Sequence, residues 1–132
     1  MAVTMQQVLD ALSPFEPDYS EAEALGSEAL PHLEILVKTA EPLLASKAAS
    51  MASMIEDERS VKILMTCTKS KFREVRVAAA FGSLNLRIPG VDKVLRVLEN
   101  DQDEGVRRIA LESIELKRQE TGKNRDQSLT KK

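Results

Sequence analysis

The chain repeats itself at a step of 31 residues, and that period restricts the folds open to it more than any other feature. Val75-Arg76 returns as Val106-Arg107, and the same step sets Lys62 against Lys93, Ile63 against Val94, Leu64 against Leu95 and Ala79 against Ala110. One step back, Leu33 falls under Leu64, Leu36 under Cys67, Leu44 under Val75 and Ala48 under Ala79. Three units align without a gap, at about 27–57, 58–88 and 89–120. Self-similarity of this length marks architectures in which one unit cannot bury its apolar face alone and its neighbours complete the core.

Within each unit apolar residues recur at three and four, the helical period, and no stretch alternates with period two. A unit reads as a first helix with spaced leucines, a short connection, and a second helix that starts on a large aliphatic residue with alanine four positions on. The small residue lets two helices approach closely while the aliphatic anchors fill the layer between them. Upstream, Met5, Val8, Leu9 and Leu12 form one stripe, opened by Thr4 and Gln7 at capping-box spacing, and Ser20 with Glu23 repeats that spacing. Pro14 and Pro17 break the helix between them. Ser27 is expected to open the next helix, with Pro31 tolerated in its first turn. From Lys117 onward Leu129 is the single apolar residue, which predicts a mobile tail. The expected fold is all-α: an α-solenoid of about three helix pairs, stacked right-handed behind N-terminal capping helices. It forms one domain over 1–120, followed by a flexible tail over 121–132.

Two segments carry a family resemblance. Asp103–Ile114 and Phe72–Gly82 each join a short connection to a Val-Arg start and an alanine-rich second helix, and Gly26–Leu33 looks like a linker into a first helix. The pattern resembles the HEAT repeat, in the short form of the phycocyanobilin-lyase-like HEAT proteins. It covers about residues 20–118, strongly in the last two units and weakly in the first, where Ala45 stands in place of the arginine. The resemblance implies an α-solenoid and protein–protein interaction, and it implies no single reaction.

Composition narrows the function classes. One cysteine among 132 residues permits no internal disulfide and no multi-cysteine zinc site, and it fits a reducing compartment. No apolar run approaches the ~20 residues that span a bilayer. The N-terminal residues lack the basic start and long apolar stretch of a secretion signal, so a cytoplasmic protein without membrane contact is expected. Aromatic residues make up 3% and tryptophan is absent, which argues against stacking on bases or sugars. The net charge of −2 conceals an asymmetry. Residues 1–60 hold three basic and eleven acidic side chains, against sixteen basic and ten acidic in the remainder. Such a dipolar chain can steer a charged partner or stack head to tail on itself.

Candidates for chemistry are few. Cys67 and His32 are the one thiol and the one imidazole, and stacked first helices would bring them within about one helical turn, a possible nucleophile and base. Against this, Cys67 occupies a leucine position, where a free cysteine behaves as a small buried hydrophobe. Bilin attachment or handling through Cys67 is implied only by the lyase-like members of the resembling family. The acidic runs Glu56–Glu58 and Asp101–Glu104 precede helices, where carboxylates favour the positive end of the helix dipole, and the second lacks the pattern of a calcium loop. No metal or cofactor is expected. Lys69, Lys71, Arg73, Arg76, Arg107 and Arg108 gather near inter-helix turns and could contact phosphates. Acids occupy the same turns, and Arg76 and Arg107 have a second use in bridging to a neighbouring unit.

The leading expectation is a non-enzymatic module that binds a protein partner on its second-helix, concave surface. The alternatives are a lyase-like or chromophore-handling accessory using Cys67, and an electrostatic nucleic-acid binder. On the middle second helix, Val75, Ala78, Ala79, Gly82 and Leu86 face inward, whereas Val77, Ala80, Phe81 and Leu84 lie roughly opposite. Val77, Phe81 and Leu84 correspond to Ser46, Ser50 and Ser53 in the first unit and to Arg108, Glu112 and Glu115 in the third. The middle unit alone is apolar there, a pattern that marks an interaction site. The flanking Arg76, Arg107 and Arg108 would favour an acidic amphipathic helix, and a second copy of the chain is the other candidate partner. The helix over residues 4–12 folding across Phe81 is the competing explanation.

Overall fold

The computed structural model describes residues 2–130, with side chains described for 2–22 and 24–121. All regular structure among the described residues is helical: α1 (Met5–Leu12), α2 (Glu21–Leu25), a 3-10 turn (Gly26–Ala29), α3 (Leu30–Thr39), α4 (Pro42–Ala52), α5 (Glu58–Cys67), α6 (Arg73–Gly82), α7 (Val91–Leu98) and α8 (Glu104–Thr130). The backbone of α8 is helical through Thr130, and the mobility expected for 121–132 falls almost wholly on side chains outside those described.

Local chemistry fixes where the helices begin. At α1 the Gln7 N–H donates to Thr4 Oγ1 at 3.2 Å while the Thr4 N–H donates to Gln7 Oε1 at 2.8 Å, a complete capping box. Ser20 does not repeat it. Its N–H and hydroxyl both donate to Asp18 Oδ1, because the nearer carboxylate competes with the helix for them. Ser27 caps nothing either. It lies in the 3-10 turn after Gly26, whose φ of +67° suits a residue without Cβ, and α3 starts at Leu30 with Pro31 in its first turn.

Carboxylates close three later helices. Glu41 accepts from the Leu43 and Leu44 N–H groups, Asp57 from Arg59 and Asp103 from Val106. Both acidic runs therefore serve at helix starts. The cap positions Glu41 and Asp103 each lie one repeat step from Phe72, their equivalent in the middle unit, which starts α6 without a side-chain bond.

The helices pack in two series. First helices meet as α3–α5 and α5–α7, second helices as α4–α6 and α6–α8, and each pair α3/α4, α5/α6 and α7/α8 closes on itself. α1 rests on α3 and α4. Large aliphatic side chains from the first helices, including Leu33, Ile63, Leu64, Val94 and Leu95, fill the core beside the small residues Ala45, Ala48, Ala49, Ala79 and Ala110. The repeat extends to hydrogen bonds. Arg76 Nη1 donates to the Ser70 carbonyl at 2.9 Å and Arg107 Nη1 to the Asp101 carbonyl at 2.7 Å, two bonds of identical spacing one repeat apart.

The second helices approach closely at Gly82, the last residue of α6. A Cβ built there would lie 2.7 Å from Ser53 Cβ, below any contact that real side chains make. Gly82→Ala is expected to destabilise the protein by about 1–3 kcal/mol, outweighing the gain in helix propensity. Urea unfolding of the variant checks this, and wild-type stability would show that α4 can move aside.

Candidate functional site

The middle second helix presents the apolar surface expected of it, in altered form. Phe81 is 56% exposed, with Val77 and Leu84 partly buried beside it. Ala80 does not belong to that face: it is fully buried, because α8 packs on the flank of α6 and Ser113 Oγ donates to the Ala80 carbonyl at 3.5 Å. Ser53, placed by the repeat on the solvent side of α4, is also buried. Gly82 packs on it and Asn85 Nδ2 donates to its hydroxyl at 3.1 Å. Ser46 and Ser50 remain partly exposed, and Arg108, Glu112 and Glu115 are exposed.

The helix over residues 4–12 does not lie across Phe81. α1 packs on α3 and α4, and Lys47 Nζ on α4 holds its end by donating to the Leu12 and Pro14 carbonyls at 3.3 and 2.9 Å. Leu116 of α8, 51% exposed, extends the apolar surface instead, lining an open groove of ≈ 240 Å³ with Leu84, Lys117 and Glu120. The signal for Leu116 was present in the sequence. Val106, Ala110 and Ser113 set the buried stripe of α8, and Leu116 stands off it.

The arginines divide. Arg76 is only 5% exposed and is not a surface charge. Its Nε donates to Asp101 Oδ2 at 2.9 Å, an ion pair with both side chains 6% exposed, linking the second unit to the third. Arg107 is half-buried against its own loop carbonyl, while Arg108 stays at the surface near Glu104. Arg73 pairs with Asp103 at 2.9 Å across the same loops. The Val106 N–H, and after it the Arg73 guanidinium, hold the Asp103 carboxyl below its ordinary pKa. Three of the arginines placed on a phosphate-binding row are thus engaged within the fold, leaving Lys69, Lys71 and Arg108 more exposed.

Cys67 and His32 have separate uses. His32 Nε2 bonds the Val3 carbonyl at 2.7 Å and ties the N-terminal segment to α3. Cys67 is buried in the core, and burial pushes its thiol up to about 12. At neutral pH it is the unreactive protonated form. Among the described residues no group of three or more His, Cys, Asp or Glu side chains is gathered for a metal, and no helix is long and apolar enough to cross a membrane. No family model matches the chain, and no curated protein or solved structure matches it. The HEAT resemblance accordingly rests on the residues alone.

Two expectations follow. Arg76→Met strands a buried Asp101 carboxylate and should cost about 3–5 kcal/mol, whereas Arg73→Met breaks an exposed pair and should cost under about 1 kcal/mol; paired denaturation curves separate them. Alkylation of Cys67 by iodoacetamide near pH 8 should be slow in the native protein and fast in denaturant. Rapid native labelling would show that the thiol reaches solvent.

Proposed function

We propose that this protein is a non-enzymatic binding module that offers the outer face of its second helices to a protein partner. On this reading the three helix pairs form a short HEAT-like solenoid, capped at one end by α1. The two series of helix contacts, the recurring loop bonds of Arg76 and Arg107, and the 31-residue period support it.

One observation carries the functional part: Phe81 is 56% exposed, with Val77 and Leu84 beside it and Leu116 next along, so these apolar residues of α6 and α8 form one continuous surface where the flanking units are polar. The contact is apolar first. With Arg76 enclosed, Arg108 is the exposed cation that remains of the three flanking arginines, so an acidic helix is favoured less than an amphipathic one of mixed charge. No observation favours chemistry at Cys67. The single buried thiol is in keeping with a cytoplasmic setting.

Phe81→Asp tests the reading. The variant should melt within a degree or two of wild type and lose the proteins that wild-type bait captures, compared quantitatively by mass spectrometry. A strongly destabilised variant, or an unchanged capture profile, would defeat it.

A further inference from the structure

We propose that the groove between the inter-helix turns of the first two units binds an acidic peptide segment of a partner protein. Phe72, in that groove, stands nine residues before Phe81, about 13 Å along the helix. The inference does not rest on the Phe81 face binding anything.

Two ion pairs close the second unit onto the turn of the third, Arg76–Asp101 and Arg73–Asp103, both at 2.9 Å. One repeat step earlier the first pair becomes Ala45 and Ser70, and the second becomes Pro42 and Phe72. The junction between the first and second units therefore has neither pair. Ser70 and Phe72 instead line an open groove of ≈ 390 Å³. Lys38, Lys69 and Lys71 are the charged residues lining it among the described residues, with Val37 and Ala40 adding to its apolar part. The second unit thus turns arginines that are already matched toward the third unit, and lysines that are not toward the first.

All three lysines are exposed. Lys38 meets Glu34 at 3.0 Å, an exposed pair that solvent weakens. Lys69 and Lys71 form no ion pair with a described residue. Lys71 Nζ stands over the Phe72 ring, 5.2 Å from its centroid. The nearby carboxylates are mostly engaged: Glu41 accepts from the Leu43 and Leu44 N–H groups, and Asp101 and Asp103 are held by the arginines. Glu74, exposed in the first turn of α6, does not line the groove. The Ser70 hydroxyl accepts from the Phe72 N–H at 3.1 Å and keeps its own proton to donate. Cations spread over two turns around an apolar floor suit a chain that brings carboxylates at intervals with an apolar side chain among them. The third unit supplies such a segment to the second, as Asp101-Gln102-Asp103. A phosphate backbone would meet the lysines and leave Val37 and Ala40 without a partner.

Fluorescence anisotropy with the full chain and a fluorescein-labelled peptide, aspartates and glutamates around a central leucine, tests this. Wild type should bind the peptide at about 50 mM salt and about tenfold or more weakly at about 500 mM, and should ignore its asparagine–glutamine counterpart. Lys69→Glu/Lys71→Glu, at exposed positions, should weaken binding about tenfold or more with a wild-type melting temperature. Ser70→Asp should weaken it about threefold or more with both lysines in place, by supplying the carboxylate found one repeat step later. Lys93→Glu/Arg96→Glu makes the same charge change on α7 and should stay within about twofold of wild type, as should Phe81→Asp. Wild type that does not bind overturns the proposal, as does an equal loss in the α7 variant, which would assign the effect to overall charge. Loss in Phe81→Asp overturns it too, by moving the peptide to the outer face of α6. A labelled oligouridylate that binds more tightly than the peptide, and through Lys69 and Lys71, would overturn it in favour of nucleic acid.

Discussion

The structure depends on how closely its second helices approach. Gly82 lies on Ser53 with no room for a methyl group, and Ala48, Ala49, Ala79 and Ala110 keep the rest of that layer thin. Close backbones leave little apolar volume between α4, α6 and α8, so the first helices supply it through Leu33, Leu64, Leu95 and their neighbours. This division of labour explains why alanine recurs in the second helix of every unit and leucine in the first. It also explains why the outer face of α6 is conspicuous. Past the Val75 anchor, the inner side of α6 is spent on close contacts through Ala78, Ala79 and Gly82, and the large Phe81 stands on the outer side.

Much of this was legible in the residues. The helical period, the Thr4–Gln7 box, the proline break and the capping carboxylates depend on sequence neighbours, and the structure forms them where the spacing puts them. What was missed depends on helices distant in sequence. Ala80 sits between the inner and outer sides of α6, and the line on which α8 crosses decides that it is covered. Ser53 is buried for the same reason, by α6. Arg76 was readable as a bridge or as a surface charge, and only the position of Asp101 in the next unit decides between them. Ser20 failed as a cap because Asp18, two residues back, reached its donors first. Periodicity assigns a residue to a face well at the centre of that face and poorly at its edges.

The same limit applies to the candidate site. Val77, Phe81 and Leu84 were visible because their repeat equivalents are polar, a comparison that the chain makes with itself. Leu116 was less visible, since its equivalents Met54 and Asn85 differ in kind and give no consistent contrast. Cys67 drew attention as the one thiol, yet the repeat already placed it among buried leucines, and burial accounts for its chemistry.

The Arg76–Asp101 pair has a mechanical consequence. It clamps the loop of the second unit to that of the third through two charges that water barely reaches. No such clamp joins the first unit to the second, because Ala45 and Ser70 stand where Arg76 and Asp101 stand one step later. Twisting the third unit against the second must pull apart a desolvated ion pair, a steep cost over a short distance. Twisting the second against the first must instead disturb the close packing of Gly82 on Ser53 and the Asn85–Ser53 hydrogen bond. The two junctions therefore resist twisting by different means, the first through close backbone packing of α4 on α6 and the second through a buried ion pair.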